Sequence, residues 1–273
     1  MLYIVDDFFA EECGRGAERN TDALLSYLNV EYEKVHCSDI DDVSKDDLYL
    51  IGNFVWLDNK VRFQLQQYGN YVIFEKDFKI LRFRNPRFDD VRYPYYAKND
   101  LVNIDFYNNA KKVICLTDLQ AKVFRQYLKE GQVEVIHCSF FSEKDLLLIE
   151  HNTKNEKRDC AFVSPAKHKG GNVNLQFCSE QLWDYECFWD IGHDEFIQKL
   201  STCDKLVFFP IVMESCSRVV IEARMLGLDV YTHWAIGAIY EPWYKLSGQA
   251  LIDEFRNNVL PNALSVFRRL LCI

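Results

Sequence analysis

The chain reads as an α/β protein made of two Rossmann-like domains that face each other across a cleft. Three observations predict this. Short β-branched and aromatic runs alternate with amphipathic stretches along most of the length, the pattern of βαβ units around parallel sheets. Residues 151–158, His-Asn-Thr-Lys-Asn-Glu-Lys-Arg, hold no apolar side chain and divide that series in two. Finally, 273 residues with 49% apolar and 15% aromatic content can fill two modest cores, since a domain runs to about 150 residues. The expected domains are 1–150 and 159–273, the second one shortened.

Residues 2–5 form a strand run ending in Asp6 and Asp7. A polar turn with Gly14 and Gly16 follows, and 17–28 has helical apolar spacing. Further strands are expected at 32–37, 48–52, 71–75, 112–116 and 133–138, with helices at 57–68 and 119–128. Thr117 stands ready to cap the latter. Beyond the polar linker come a strand at 160–163, a Lys-Gly-Gly loop at 169–171 that opens a helix, and a strand at 186–191. A helix at 194–200, a strand at 205–209, a helix at 217–226 stopped by Gly227 and a strand at 229–233 complete the series. The amphipathic tail 263–271 either closes the second domain or crosses back to brace the first.

Charge and composition narrow the function. Forty-one acidic against 32 basic residues leave −9, a sign that repels polyphosphate and argues against broad nucleic-acid binding. No apolar run approaches the roughly 18–20 residues of a membrane span, and Asp6 and Asp7 interrupt any signal-like core, so a cytoplasmic location without a transmembrane segment is expected. The ten cysteines are scattered with no Cys-x-x-Cys, as expected of reduced thiols that pack as small hydrophobes.

Ligands of open parallel sheets bind beyond the C-terminal strand ends. The most specific constellation falls there: Pro210-Ile-Val-Met-Glu214-Ser-Cys-Ser-Arg-Val-Val-Ile-Glu222-Ala223, then Gly227-Leu-Asp-Val230. Eight positions are about 2.2 helical turns, so a loop glutamate at 214 and a helix glutamate at 222 can face one cleft. The plainer reading is a capping acid and a solvated helix residue. This segment resembles the signature of the retaining glycosyltransferases of family 4, which have the two-domain GT-B fold. Pro210, Glu214, Glu222, Ala223, Gly227 and Val230 match in register its Pro-Ser-x-x-Glu-Gly-Phe-Gly, Glu-Ala and Gly-x-Pro-Val.

The resemblance implies that Glu222 binds the nucleotide ribose, that Glu214 contacts donor-sugar hydroxyls and that amides from Ser215 through Ser217 to Arg218 serve as donors. Ser215 and Ser217 stand where the family has glycine, and Asp229 where it has proline. Lys169-Gly170-Gly171 resembles the Lys-Gly step that receives the pyrophosphate. The family's arginine five residues earlier is Ser164, which leaves Lys167 or Arg158 as sources of a second charge. Gly14-Arg15-Gly16-Ala17-Glu18-Arg19 is similar to a Gly-Gly-Ala-Glu-Arg loop facing donor phosphates and acceptor. Asp77 matches a strand-ending His-Asp, with Lys76 in place of the histidine.

The resemblance further implies transfer of a hexosyl group from a nucleotide sugar to a glycan or other hydroxyl acceptor, with retention at the anomeric carbon. Lys169 and Glu214 are then the catalytic pair, and Gly16, Gly170, Ser215, Ser217, Arg218 and Glu222 line the donor. No metal or cofactor is expected, because lysine and helix amides can carry the diphosphate charge. A catalytically inactive GT-B-like protein that binds a glycan or a partner is the alternative, motivated by Ser215, Ser217 and Lys76. Asp39-Ile-Asp41 looks like the metal motif of another glycosyltransferase fold, but within the acidic run from 39 to 47 it reads as a solvated loop. The basic and aromatic mixture between 78 and 98 reads as a cleft-side loop for an acceptor, or as a partly ordered surface segment, rather than as a nucleic-acid surface.

Overall fold

The computed structural model describes residues 1–86, 100–188 and 191–272. The first unit contains β1 (Leu2–Asp6), α1 (Gly16–Leu25), β2 (Tyr32–His36), β3 (Leu48–Ile51), α2 (Asn59–Tyr68), β4 (Tyr71–Glu75), α3 (Ile104–Asn109), β5 (Lys112–Cys115), α4 (Asp118–Arg125), β6 (Val133–Val135) and α5 (Glu143–Asn152). Its six strands are parallel in the order β2-β1-β3-β4-β5-β6. The chain winds outward from β1 to β2, then returns across β1 to β3, so the strand order switches there. β4 is buried along its whole length, as a central parallel strand covered on both faces must be.

The second unit holds β7 (Arg158–Val163), α6 (Gly171–Gln181), β8 (Asp184–Glu186), α7 (His193–Leu200), β9 (Cys203–Phe208), α8 (Arg218–Met225) and β10 (Asp229–Thr232). Its parallel sheet runs β10-β9-β7-β8. The chain ends in α9 (Gly248–Glu254), a π turn (Phe255–Val259) and α10 (Leu260–Leu271), one continuous helical run. The fold is thus α/β with two parallel Rossmann-like sheets.

Several elements depart from the sequence expectation. α3 lies outside it, as does α5, whose Leu146–Ile149 core looks like a strand run; a capping box between Ser142 and Asp145 starts it as a helix. α5 takes 151 and 152 and β7 takes 158, so the connection between the units is 153–157, shorter than the polar octad. β8 lies earlier than 186–191 and is only three residues long. All ten cysteines are free thiols, seven of them buried. Of the basic and aromatic stretch, Arg87, Phe88, Arg92, Tyr93, Tyr95 and Tyr96 lie outside the described residues.

The two units share one core. α10 crosses to the first sheet, where the Phe267 ring lies 5.0 Å from Phe74 and 5.6 Å from Phe140. A polar seam runs beside that core. Thr117, which caps α4, donates its hydroxyl to Ser215 O at 2.5 Å, and Ser215 Oγ donates to Lys76 O at 2.7 Å. Glu241 accepts the Asp118 amide at 3.1 Å and pairs with His137 Nδ1 at 2.8 Å.

Gly237 shows how tightly the seam is closed. A β-carbon there would stand 2.0 Å from Ser215 O and 2.3 Å from Thr117 Oγ1. Gly237→Ala is expected to cost about 1–3 kcal/mol, as overpacking of a filled site does, and to lower Tm by several degrees. An unchanged Tm would show that the seam opens freely.

The Glu241 hydrogen bond raises the His137 pKa above its ordinary 6.5, against the opposing effect of burial. A raised folded-state value stabilises fully below the unfolded histidine value and is lost as pH rises through the folded one. The Tm difference between the native protein and His137→Gln is therefore expected to be largest in mild acid and to vanish in alkali. A difference that grows with pH would reverse this assignment.

Candidate active site

The C-terminal strand ends of the second sheet carry the motif residues. After β7 a 3-10 turn (Lys167–Lys169) leads into Gly170 at φ +77°. Here a β-carbon would meet Phe209 O at 1.8 Å, so only glycine lets α6 start against the end of β9. Asn174, fully buried, fixes the join: Nδ2 donates to Lys169 O at 3.0 Å and Oδ1 accepts the Phe209 amide at 2.7 Å. This places Lys169 Nζ 2.5 Å from Glu214 Oε1. The lysine is 32% exposed and the glutamate 14%, so the pair stands at the surface of the cleft rather than within a core.

Glu222 sits one helix further in, on the buried face of α8 at 3% exposure. His193, the first residue of α7, holds its Oε1 at 3.0 Å, and Arg218 Nε lies 3.5 Å from the same oxygen. Burial pushes the Glu222 carboxyl up, but the His193 hydrogen bond and the charges of His193 and Arg218 outweigh it and hold the group below the usual glutamate value. His193 is a site residue that sequence reasoning missed, as is Asp145 below. Only its place at a helix start beyond a strand end could have pointed to it.

Arg218 faces the first unit. Its guanidinium donates to Phe140 O, lies 3.4 Å from Asp145 and stacks over the Phe141 ring at 4.0 Å. Arg19 reaches the other oxygen of Asp145 at 2.5 Å. Burial raises Asp145, yet Arg218 and Arg19 together bring it below the usual aspartate value. Gly16 is a neighbour of this group: a β-carbon on it would stand 3.6 Å from the Arg218 side chain, an ordinary contact. Arg218 and Gly16 are thus brought together with Glu222.

Ser215 belongs to the seam already described. Ser217 keeps a left-handed backbone, φ +71°, with no side-chain capping bond. A positive φ is one that glycine adopts freely and serine holds at about 1–2 kcal/mol of strain. Arg158 cannot supply a second charge beside Lys169: it opens β7, five residues and about 16 Å before the strand's cleft end, and pairs with Glu186. Lys167 is exposed on the same turn as Lys169.

In the first sheet, Lys76 is buried against Asp6 Oδ2 at 2.7 Å and Thr21 Oγ1 at 2.5 Å, and Lys79 is buried against Glu75 at 2.5 Å. Asp39 and Asp41 are exposed, Asp39 accepting from Ser38. Asp118, His137 and Glu241 bring ligand-type atoms within 4.8 Å of one another at the seam, a trio that no sequence spacing announces. Among the described residues no helix is long and apolar enough to cross a membrane.

No family model matches the sequence, and no curated protein is similar enough to be matched. Solved structures are similar. Anabaena HepE in complex with UDP superposes with a TM-score of 0.56 at 14% identity, over 99% of this chain and 95% of that one. Trehalose-6-phosphate synthase OtsA gives 0.56 at 10% identity, over 99% and 94%. The UDP-forming α,α-trehalose-phosphate synthase of Burkholderia vietnamiensis gives 0.53 at 11%, over 83% and 71%. At such identities the likeness is one of fold: two parallel Rossmann-like sheets whose C-terminal strand edges meet at a cleft, the GT-B architecture, spanning the chain from end to end.

Proposed function

We propose that this chain is a glycosyltransferase that moves a hexosyl group from a nucleotide sugar to a hydroxyl acceptor with retention of anomeric configuration. The observation that carries the reading is the Lys169–Glu214 pair, 2.5 Å apart at the cleft ends of β7 and β9, with Glu222 on the helix that comes next. HepE, which shares the fold, has been captured with UDP and with UDP-glucose, which supports a uridine donor.

In this reading the donor separates the pair. Lys169 turns to the diphosphate and Glu214 to sugar hydroxyls, each exchanging a charged partner for a new one. The His193 and Arg218 contacts of Glu222 both fall on Oε1, which leaves Oε2 for a ribose hydroxyl. At the start of α6 the Gly170 and Gly171 amides are taken by Lys167 O and Ala166 O, so it is the next amides of the first turn, at Asn172 and Val173, that would serve the same diphosphate. Catalysis consists of alignment and of stabilising charge on the departing diphosphate. The acceptor attacks from the face the diphosphate leaves, and that phosphate takes the acceptor proton, so no protein base is required.

A thermal-shift comparison of UDP, GDP and ADP tests donor binding. At about 100 times the dissociation constant, linkage stabilises the fold by roughly 2.7 kcal/mol. One of the three is expected to raise Tm clearly, UDP first. Silence from all three at millimolar concentration would sink the reading.

Glu214→Gln separates the two roles. Removing the carboxylate frees Lys169, so UDP is expected to bind as well as before or up to about fivefold tighter, the range of a part-exposed ion pair. The nucleotide sugar loses a charge-assisted hydrogen bond, and its affinity relative to UDP should fall about tenfold or more. Calorimetry with both ligands checks this. A parallel loss of UDP and UDP-glucose would move Glu214 off the sugar.

A further inference from the structure

The second unit covers only part of the first sheet's cleft edge. Its seam contacts fall at the ends of β4 and β5 and just beyond β6, through Lys76, Thr117, Asp118 and His137. Beyond the ends of β1 and β3 stands an aromatic pair that none of those contacts reaches. Phe8 and Trp56 meet edge to face, ring centroids 4.8 Å apart at 66°, and Trp56 is 55% exposed.

The pair is built rather than incidental. Asp7, itself buried, accepts the amides of Val55 at 2.9 Å and Trp56 at 3.0 Å, which fixes the loop that carries the indole. Asp6 likewise accepts the Asn53 amide at 2.9 Å. The same loop reaches a second unusual group. Glu18, in the first turn of α1, is 6% exposed, and its Oε2 has no hydrogen-bond partner; Oε1 has only a long contact, 3.5 Å, to Asn53 Nδ2. A buried carboxylate oxygen without a donor is costly, and an incoming hydroxyl is the group that would satisfy it.

Resting on the glycosyltransferase reading, we infer that Phe8, Trp56 and Glu18 form the acceptor subsite, and that its occupant is an uncharged pyranose ring of a glycan. The ring's C–H face lies on the Trp56 indole, and a ring hydroxyl donates to Glu18. An amphipathic sugar suits an exposed indole backed by polar groups. Charge selects against a phosphorylated sugar. Lys34 and His36 at this edge are paired with Glu11 and Glu12, and Lys76 and Lys79 with Asp6 and Glu75, so each of these four groups already has a carboxylate partner.

Saturation-transfer NMR on the full chain tests this, with methyl glycosides of glucose, galactose and mannose and with glucose 6-phosphate as probes. At least one neutral pyranoside is expected to receive saturation at its ring protons. Trp56→Ala should weaken that binding roughly tenfold, the loss typical of a truncated aromatic anchor, and Trp56→Phe should retain most of it. Trp56 is more than half exposed, so the variants keep the fold, which Tm confirms.

Glu18→Leu should weaken the same binding. Full affinity in that variant would remove the carboxylate from the subsite. A silent neutral panel, an undiminished signal in Trp56→Ala, or preference for glucose 6-phosphate would overturn the proposal. Calorimetry with UDP on the same samples keeps the two readings apart. Trp56→Ala should bind UDP as the native protein does, and a native protein that ignores UDP while binding pyranosides would fail as a transferase but keep this subsite.

Discussion

Arg218 is the side chain on which the geometry of the cleft depends. It is buried at the start of α8, yet its bonds point to the other unit: Phe140 O, Asp145 and the face of Phe141. A guanidinium removed from water must be satisfied on several sides at once, because an uncompensated buried charge costs several kcal/mol. That requirement fixes where α8 lies relative to α5. The position of α8 then sets Glu222, which shares Arg218 with Asp145, and α7, whose His193 meets Glu222. Arg19 enters the same network from the glycine loop. One buried cation thereby ties α1, α5, α7 and α8 into a single frame around the cleft.

The remaining charges of the cleft obey the same logic at different depths. Lys76 with Asp6 and Lys79 with Glu75 are enclosed pairs, whose desolvation leaves little to spare for a ligand. Lys169 with Glu214 is part-exposed, and water and salt weaken it. Of these pairs it is the one that can be divided at small cost, because both partners keep access to solvent. Depth of burial thus separates the enclosed pairs, which hold the fold, from the part-exposed pair on which the proposed reading rests.

The alternation of strands and helices was legible because parallel strands buried on both faces are continuous apolar runs; β4 at 71–75 is legible to the residue. Thr117 was legible as a cap from its place before an amphipathic run. α5 was not, since its four successive apolar residues carry no period, and the capping box that decides the matter is a local hydrogen-bond pattern. At the site, the motif brought Lys169, Glu214 and Glu222 into view because their order along the chain matches the order of strand ends. His193 and Asp145 stayed hidden because their meeting with Glu222 and Arg218 is made by folding alone. Phe8 and Trp56 were likewise unreadable, separated in sequence and joined through Asp7.

The departures from the family motif take on a different weight once their surroundings are seen. Ser215 in place of glycine donates its hydroxyl to Lys76 O and accepts at its carbonyl from Thr117, both in the other unit. Ser217 adopts the left-handed backbone that the glycine it replaces would favour. Lys76 in place of histidine carries a charge matched by Asp6 in the same buried edge. Each substitution is accommodated by a local partner or a tolerated strain, and none displaces Lys169 from Glu214. Ser215 and Lys76 meet at the seam between units, where they bear on how the cleft is closed; Ser164, where the family has arginine, is the departure that takes a charge from beside Lys169.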